Sequence, residues 1–132
     1  MRFERTTLDI DKFQDLYEQA FGKKNEFAIP SDVILGYDED KYMGFVDIVK
    51  QTTNSCYLKY IGFGKDVPHS FGYFKEVVNY ISSLGFQIIM GAIDNSRQTT
   101  LIWALRAGFK IIGVRIAGGC TFIEIMREEK NG

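Results

Sequence analysis

Residues 91–115, GAIDNSRQTTLIWALRAGFKIIGVR, constrain the fold more than any other part of this chain. An apolar strand ends in Asp94-Asn95, one helix follows and stops at Gly108-Phe109, and a second strand runs over 110–115. Ser96 suits the N-cap, where a hydroxyl accepts from an amide that the first turn leaves unpaired. Gly108 stands where a helix usually ends in a left-handed residue. Leu101, Ile102, Leu105 and Phe109 recur at helical spacing, which predicts one buried face.

The rest of the chain supplies that sheet. Residues 1–7 alternate as a first strand, and Asp9 caps a helix through about Phe21, with Ile10, Phe13, Leu16, Tyr17 and Ala20 on one side. Gly22 breaks it, and residues 27–30 read as ambiguous, with room for a short helical turn. Strands are expected over 33–37, 42–51 and 56–63, separated by polar turns at 38–41 and 52–55. A long helix over about 70–84 presents Phe71, Phe74, Val77, Val78, Ile81 and Leu84 on one broad face and ends at Gly85. Strands at 87–93 and 121–127, the latter after a Gly118-Gly119 turn, complete the order β-α-(α)-β-β-β-α-β-α-β-β. This predicts an α/β (α+β) fold: a central mixed sheet with helices on both faces.

At 132 residues, 45 % hydrophobic and 14 % aromatic, the chain has apolar material for one core, so residues 1–132 are expected to form a single domain. A net charge of −1 with mixed signs speaks against a nucleic-acid surface built on bulk charge. The N-terminus lacks the apolar stretch of a signal peptide, and no window resembles a membrane span. A soluble, cytoplasmic protein without a membrane partner is the expectation. Cys56, Cys120 and the single histidine, His69, show no metal-ligand spacing, so no metal is expected and the cysteines read as free thiols.

The strand–Asn–helix–Gly-Phe–strand run and the element order resemble the GNAT superfamily of N-acetyltransferases over essentially the whole chain. That resemblance implies acetyl-CoA as cosubstrate, its pantetheine arm lying where the strands 56–63 and 87–93 splay apart. In the family a Gln/Arg-x-x-Gly-x-Gly/Ala turn at a helix start cradles the pyrophosphate, as unpaired amides and glycines favour. Here the corresponding run is His69-Ser70-Phe71-Gly72-Tyr73-Phe74: the first glycine is kept as Gly72, whereas His69 and Phe74 depart from the pattern. Phe74 shares helical spacing with Phe71 and Val78, which points it into the core. His69 reads as an exposed loop residue.

The resemblance assigns cofactor contacts to Ile61, Gly62 and Phe63 (a strand amide polarising the thioester carbonyl), to Ser70, Phe71, Gly72 and Tyr73, and to Asn95 or Arg97 on the pantetheine arm. Where many members carry a tyrosine general acid, this chain has Ala104. Asp47, a carboxylate within the apolar strand GFVDIVK, is the nearest candidate for the catalytic base, with Tyr60 as its polar partner. Strand alternation would equally explain Asp47 if it faced solvent.

These features support an acyl-CoA-dependent N-acyltransferase moving an acetyl group to an unidentified small-molecule or peptide amine. The alternative is a GNAT-fold binding or structural protein without turnover, of the kind phages and mobile elements encode. An unrelated α/β binding protein is a third reading. A final strand exposed at the sheet edge could pair across a homodimer.

Overall fold

Asp9 starts the first helix of the computed structural model, which describes residues 1–129, by accepting from the Lys12 amide at 2.8 Å. Gly22, at φ 72°, ends that helix with its amide on the Glu18 carbonyl. In chain order the elements are β1 (Arg2–Thr6), α1 (Ile10–Phe21), β2 (Asp32–Asp38), β3 (Lys41–Thr52), β4 (Ser55–Phe63), α2 (Phe71–Ser83), β5 (Ile88–Asp94), α3 (Gln98–Arg106), β6 (Lys110–Ala117) and β7 (Cys120–Glu128). Residues 26–27 form only a turn, closed by the Ala28 amide on the Asn25 carbonyl at 3.0 Å, so no second helix precedes β2.

The strands make one mixed seven-stranded sheet in the order β1-β2-β3-β4-β5-β7-β6. The β4–β5 pair is parallel, while β1–β2, β2–β3, β5–β7 and β6–β7 are antiparallel. The parallel ladder joins Ser55–Leu58 to Ile88–Gly91 only, although β4 continues to Phe63. The final strand is therefore interior to the sheet, between β5 and β6. The free edge at that end is β6, which corrects the expectation that the last strand would be exposed.

Backbone contacts gather the described residues into two compact units, the first comprising 1–49 and 59–73, the second 50–58 and 74 onward. In the first unit α1 buries Phe13 and Tyr17 with Ala28, Val33 and Phe45, and Leu16, Ala20 and Tyr60 pack around them. Ile10, expected on that face, is instead 47 % exposed at the first helical position. Leu35 pairs with Phe45 and Gly36 with Gly44, so the two pairs point to opposite faces. Phe45 meets α1, and the ring of Tyr73, at the start of α2, lies over Gly36 and Gly44. Within this unit, helical residues thus cover both faces of β2–β3.

The second unit has its own apolar centre, with Phe74, Val77, Val78 and Ile81 of α2, Ile89 and Ile93 of β5, and Ile125 of β7 all buried. In α3 the buried positions are Ala104 and, just beyond the helix, Phe109. Ile102 and Leu105 are 54 % and 44 % exposed, so the expected face was rotated: the small Ala104 marks the side that packs. The cap was also misplaced. Ser96 donates its amide and hydroxyl to Asp94 Oδ1 at 2.9 and 2.8 Å, and Arg97 is the N-cap residue, without a side-chain cap bond. Asp94, able to accept twice, outcompetes a helix amide for that serine.

Candidate functional site

Asp47 points inward and is completely buried. Its Oδ1 accepts from the amides of Ser31 (3.0 Å) and Asp32 (2.8 Å). Its Oδ2 accepts from the Ser31 amide (3.1 Å) and lies 3.4 Å from Lys59 Nζ. Lys59 in turn donates to the Ile29 carbonyl at 2.6 Å and to Ser31 Oγ at 3.1 Å. Four contacts occupy the carboxylate's lone-pair directions, and a buried charge is tolerable only with such partners. The immediate effect of this arrangement is to fix the entry into β2. Lys59 went unnoticed in the sequence, although it carried the same signal as Asp47: one charge inside an apolar strand.

Tyr60 stands beside Lys59 on β4. Its ring centroid is 5.3 Å from Tyr17, edge-on, 6.2 Å from Phe13 and 6.5 Å from Phe21, and Lys59 Nζ lies 5.7 Å from it. Burial, and then the neighbouring Tyr17 and Asp47, raise its pKa above the ordinary tyrosine value. The hydroxyl is therefore a proton holder at neutral pH.

Beyond Tyr60, Ile61 is half-buried, while Gly62 and Phe63 are buried. A Cβ on Gly62 would stand 2.5 Å from the Phe45 ring and 2.6 Å from Ala20 Cβ, so only glycine lets α1 approach β4 here. Phe63 carries the imidazole of His69 stacked on its ring at 4.1 Å and 17°, with Tyr73 5.2 Å away. His69 is exposed, as expected, but held by this stack.

The turn at 64–70 closes with the Val67 amide on the Gly64 carbonyl (3.1 Å). Ser70 then caps α2 by accepting from the Tyr73 amide at 3.2 Å. Phe71 is half-buried and Gly72 exposed, and a Cβ on Gly72 would meet nothing within 4 Å. Tyr73 and Phe74 are each 3 % exposed, and Phe74 lies 6.1 Å from Trp103. The first turn of α2 is thus open at Gly72, with Phe74 directed into the second unit.

Asp47, Tyr60, Ile61, Gly62, Phe63, Ser70, Phe71, Gly72 and Tyr73 all belong to the first unit. Asn95 and Arg97 belong to the second. Both are exposed at the end of β5, where the Asn95 amide donates to the Thr121 carbonyl at 2.9 Å and the Arg97 amide to the Asp94 carbonyl at 2.8 Å. Among the described residues no group of three His, Cys, Asp or Glu side chains could hold a metal ion. No helix among them is long and apolar enough to cross a membrane.

No protein-family model matches the sequence, and no curated protein matches it. The fold does have counterparts. An acetyltransferase from Bacillus subtilis in complex with CoA superposes with a TM-score of 0.72 at 16 % identity, over 96 % of this chain and 97 % of that one. A GNAT family acetyltransferase from Elizabethkingia anophelis with acetyl-CoA bound gives 0.71 at 15 % identity, over 96 % and 97 % of the two chains. An aminoglycoside 6′-acetyltransferase type Ii gives 0.71 at 16 % identity, over 97 % of each. The sheet and helices described above are thus those of an α+β acetyltransferase-type fold. It is the GNAT fold, as the sequence pattern led us to expect.

Proposed function

We propose that the chain is an acyl-CoA-dependent N-acyltransferase that moves the acetyl group of acetyl-CoA to an amine. One observation carries this reading: Gly72, in the first turn of α2, has open space where any other residue would place a Cβ. A helix start with that opening suits an anion as large as a pyrophosphate, which must approach backbone closely. Phe74, which stands where the family pattern has a small residue, is buried and so leaves that opening clear. Acetyl-CoA fits the residues present on these grounds, and the CoA-bound counterparts of the fold support it.

In this reading Ser70, Phe71, Gly72 and Tyr73 form the phosphate turn. Residues 61–63 of β4, beyond its last residue paired with β5, supply the backbone amide that polarises the acyl carbonyl. Asn95 and Arg97 are the proposed contacts to the pantetheine arm. Tyr60 is the protonated group beside the acceptor amine. Asp47 holds Lys59 and the start of β2 in place, and so acts as a positioning residue; a direct role as base is the competing assignment. A small-molecule or peptide amine is the proposed acceptor.

Calorimetric titration with CoA tests the reading. Wild-type protein is expected to bind at micromolar concentration, and Gly72→Glu to fold normally yet lose binding at least tenfold. Equal binding by the variant would remove the α2 turn from the mechanism. A second reading, a GNAT-fold protein without turnover, is favoured by the fully engaged Asp47 carboxylate and by Ala104 at the family's tyrosine position. Binding of CoA without acetylation across an amine panel would select it.

A further inference from the structure

β6 ends the sheet and leaves one whole edge of backbone donors and acceptors unpaired by β7. It is also unusually apolar for an edge: Ile111 and Ile112 are 51 % exposed, Val114 62 % and Ile116 77 %. Native edges are normally blunted by charge, proline or brevity, and a long apolar edge is a template for pairing. What would pair with it can be read from its own sequence.

We propose that this edge pairs antiparallel with β6 of a second copy of the chain, about a two-fold axis through Val114. In a continuous sheet with such an axis, paired residues share a face and Val114 lies opposite itself. Ile112 then faces the partner's Ile116, and Gly113 faces the partner's Arg115. The irregularity between Ile111 and Gly113 confines the new ladder to about residues 112–116.

The charges select this register. On its own chain Glu124 pairs with Gly113, and its Oε2 lies 3.3 Å from where a Cβ on that glycine would stand. Its Oε1 is 3.7 Å from Arg115 Nε of the same chain. Arg115 of the second copy, arriving opposite Gly113, would therefore meet the free oxygen of Glu124. Two arginines and two glutamates alternate around the axis, over a side of the strand that Gly113 keeps low. Moving the axis to Arg115 places that arginine against itself, and moving it to Gly113 sets Arg115 against Ile111 and Lys110 against Ile116. Only the Val114 register puts apolar against apolar and charge near its opposite.

Light scattering of the purified full chain should give twice the 15.1 kDa mass of one chain. Val114→Lys and Arg115→Glu should each give single-chain mass with unchanged circular dichroism, and the exchange Arg115→Glu with Glu124→Arg should restore the doubled mass. In a Cys120→Ser background, Val114→Cys should cross-link on mild oxidation and Lys110→Cys should not. Single-chain mass for the wild type at its highest soluble concentration would overturn the assignment and leave the edge to an extended peptide of another protein. A doubled mass that Val114→Lys leaves unchanged would also overturn it, by placing the contact on another surface.

Discussion

Gly44 is the position where the smallest addition should do the most damage. A Cβ there would stand 2.2 Å from the Gly62 carbonyl oxygen, 3.0 Å from the Tyr73 hydroxyl and 3.1 Å from Phe63 Cα. Two of the three obstacles are backbone of the neighbouring strand and cannot swing aside. Overpacking usually costs roughly 1–3 kcal/mol, and a clash against sheet backbone belongs at the upper end, so Gly44→Ala is assigned about 3 kcal/mol. Unfolding entropy of about 2.1 cal/mol/K per residue gives roughly 0.28 kcal/mol/K for 132 residues, which converts that cost to a fall in Tm of about 11 °C. Gly72→Ala is the internal control. Its Cβ meets nothing within 4 Å, and alanine in a helix gains roughly 0.5–1 kcal/mol over glycine, or about 2–4 °C. Thermal melts of both variants beside the wild type decide the matter. If Gly44→Ala melts within about 3 °C of the wild type, β3 and β4 are not in the close approach on which the argument depends.

Alkali should unfold the protein through two tyrosines. Burial raises both Tyr42 and Tyr73 above their ordinary value of 10.0, with Tyr73 and Tyr37 adding to the effect on Tyr42. Their stabilising effect is complete below pH 10.0 and fades above it, as the unfolded chain releases protons that the fold retains. Denaturant titrations between about pH 9 and 11.5 should show stability falling with pH, Tyr60 adding to the slope of the other two, and Tyr42→Phe or Tyr73→Phe should each make that slope shallower. A slope that neither variant changes would refute it. Asp9→Ala removes the α1 cap and should cost about 1 kcal/mol by urea melts; a neutral result would mean the cap bond is already exchanged for water. Asp47→Asn turns one acceptor oxygen into a donor facing Lys59 and the Ser31 amide, and should cost about 3–5 kcal/mol in chemical denaturation. A fully stable Asp47→Asn variant that lost the proposed acetyl transfer would instead make Asp47 the base.

Most of the architecture was legible because its signals are local. Asp9 and Gly22 bracket α1, the turns at 38–41 and 52–55 punctuate the hairpins, and Gly118-Gly119 closes β6 to β7 with φ of 57° and 77°. What stayed hidden depended on partners distant in sequence. Ser96 looked like a cap because nothing local reveals that Asp94 claims it. The packed side of α3 was misread because Ala104, with little hydrophobic weight, turned out to mark it. Asp47 left two readings open, since strand alternation alone does not disclose that Lys59 and the amides at 31–32 await it. The identity of the edge strand was likewise invisible, because chain order puts β7 last while the ladder puts it inside β6.

The anchoring of residues 25–31 has a consequence for how this protein can change. Gln14 reaches the carbonyls of Asn25 (3.2 Å) and Ala28 (3.3 Å), Lys59 holds that of Ile29, and Asp47 holds the amides at 31 and 32. Most of these tethers grip main chain, and the side chains that join them are those of Asn25, on the Tyr17 hydroxyl, and Ser31, on Lys59. Phe27 and Ile29, 82 % and 57 % exposed, take no part in them through their side chains. Exchanges at such surface positions usually shift stability by no more than about 0.5 kcal/mol. The loop is thus a fixed mount with replaceable fittings, on which new side chains can be tried without redrawing the path that carries them.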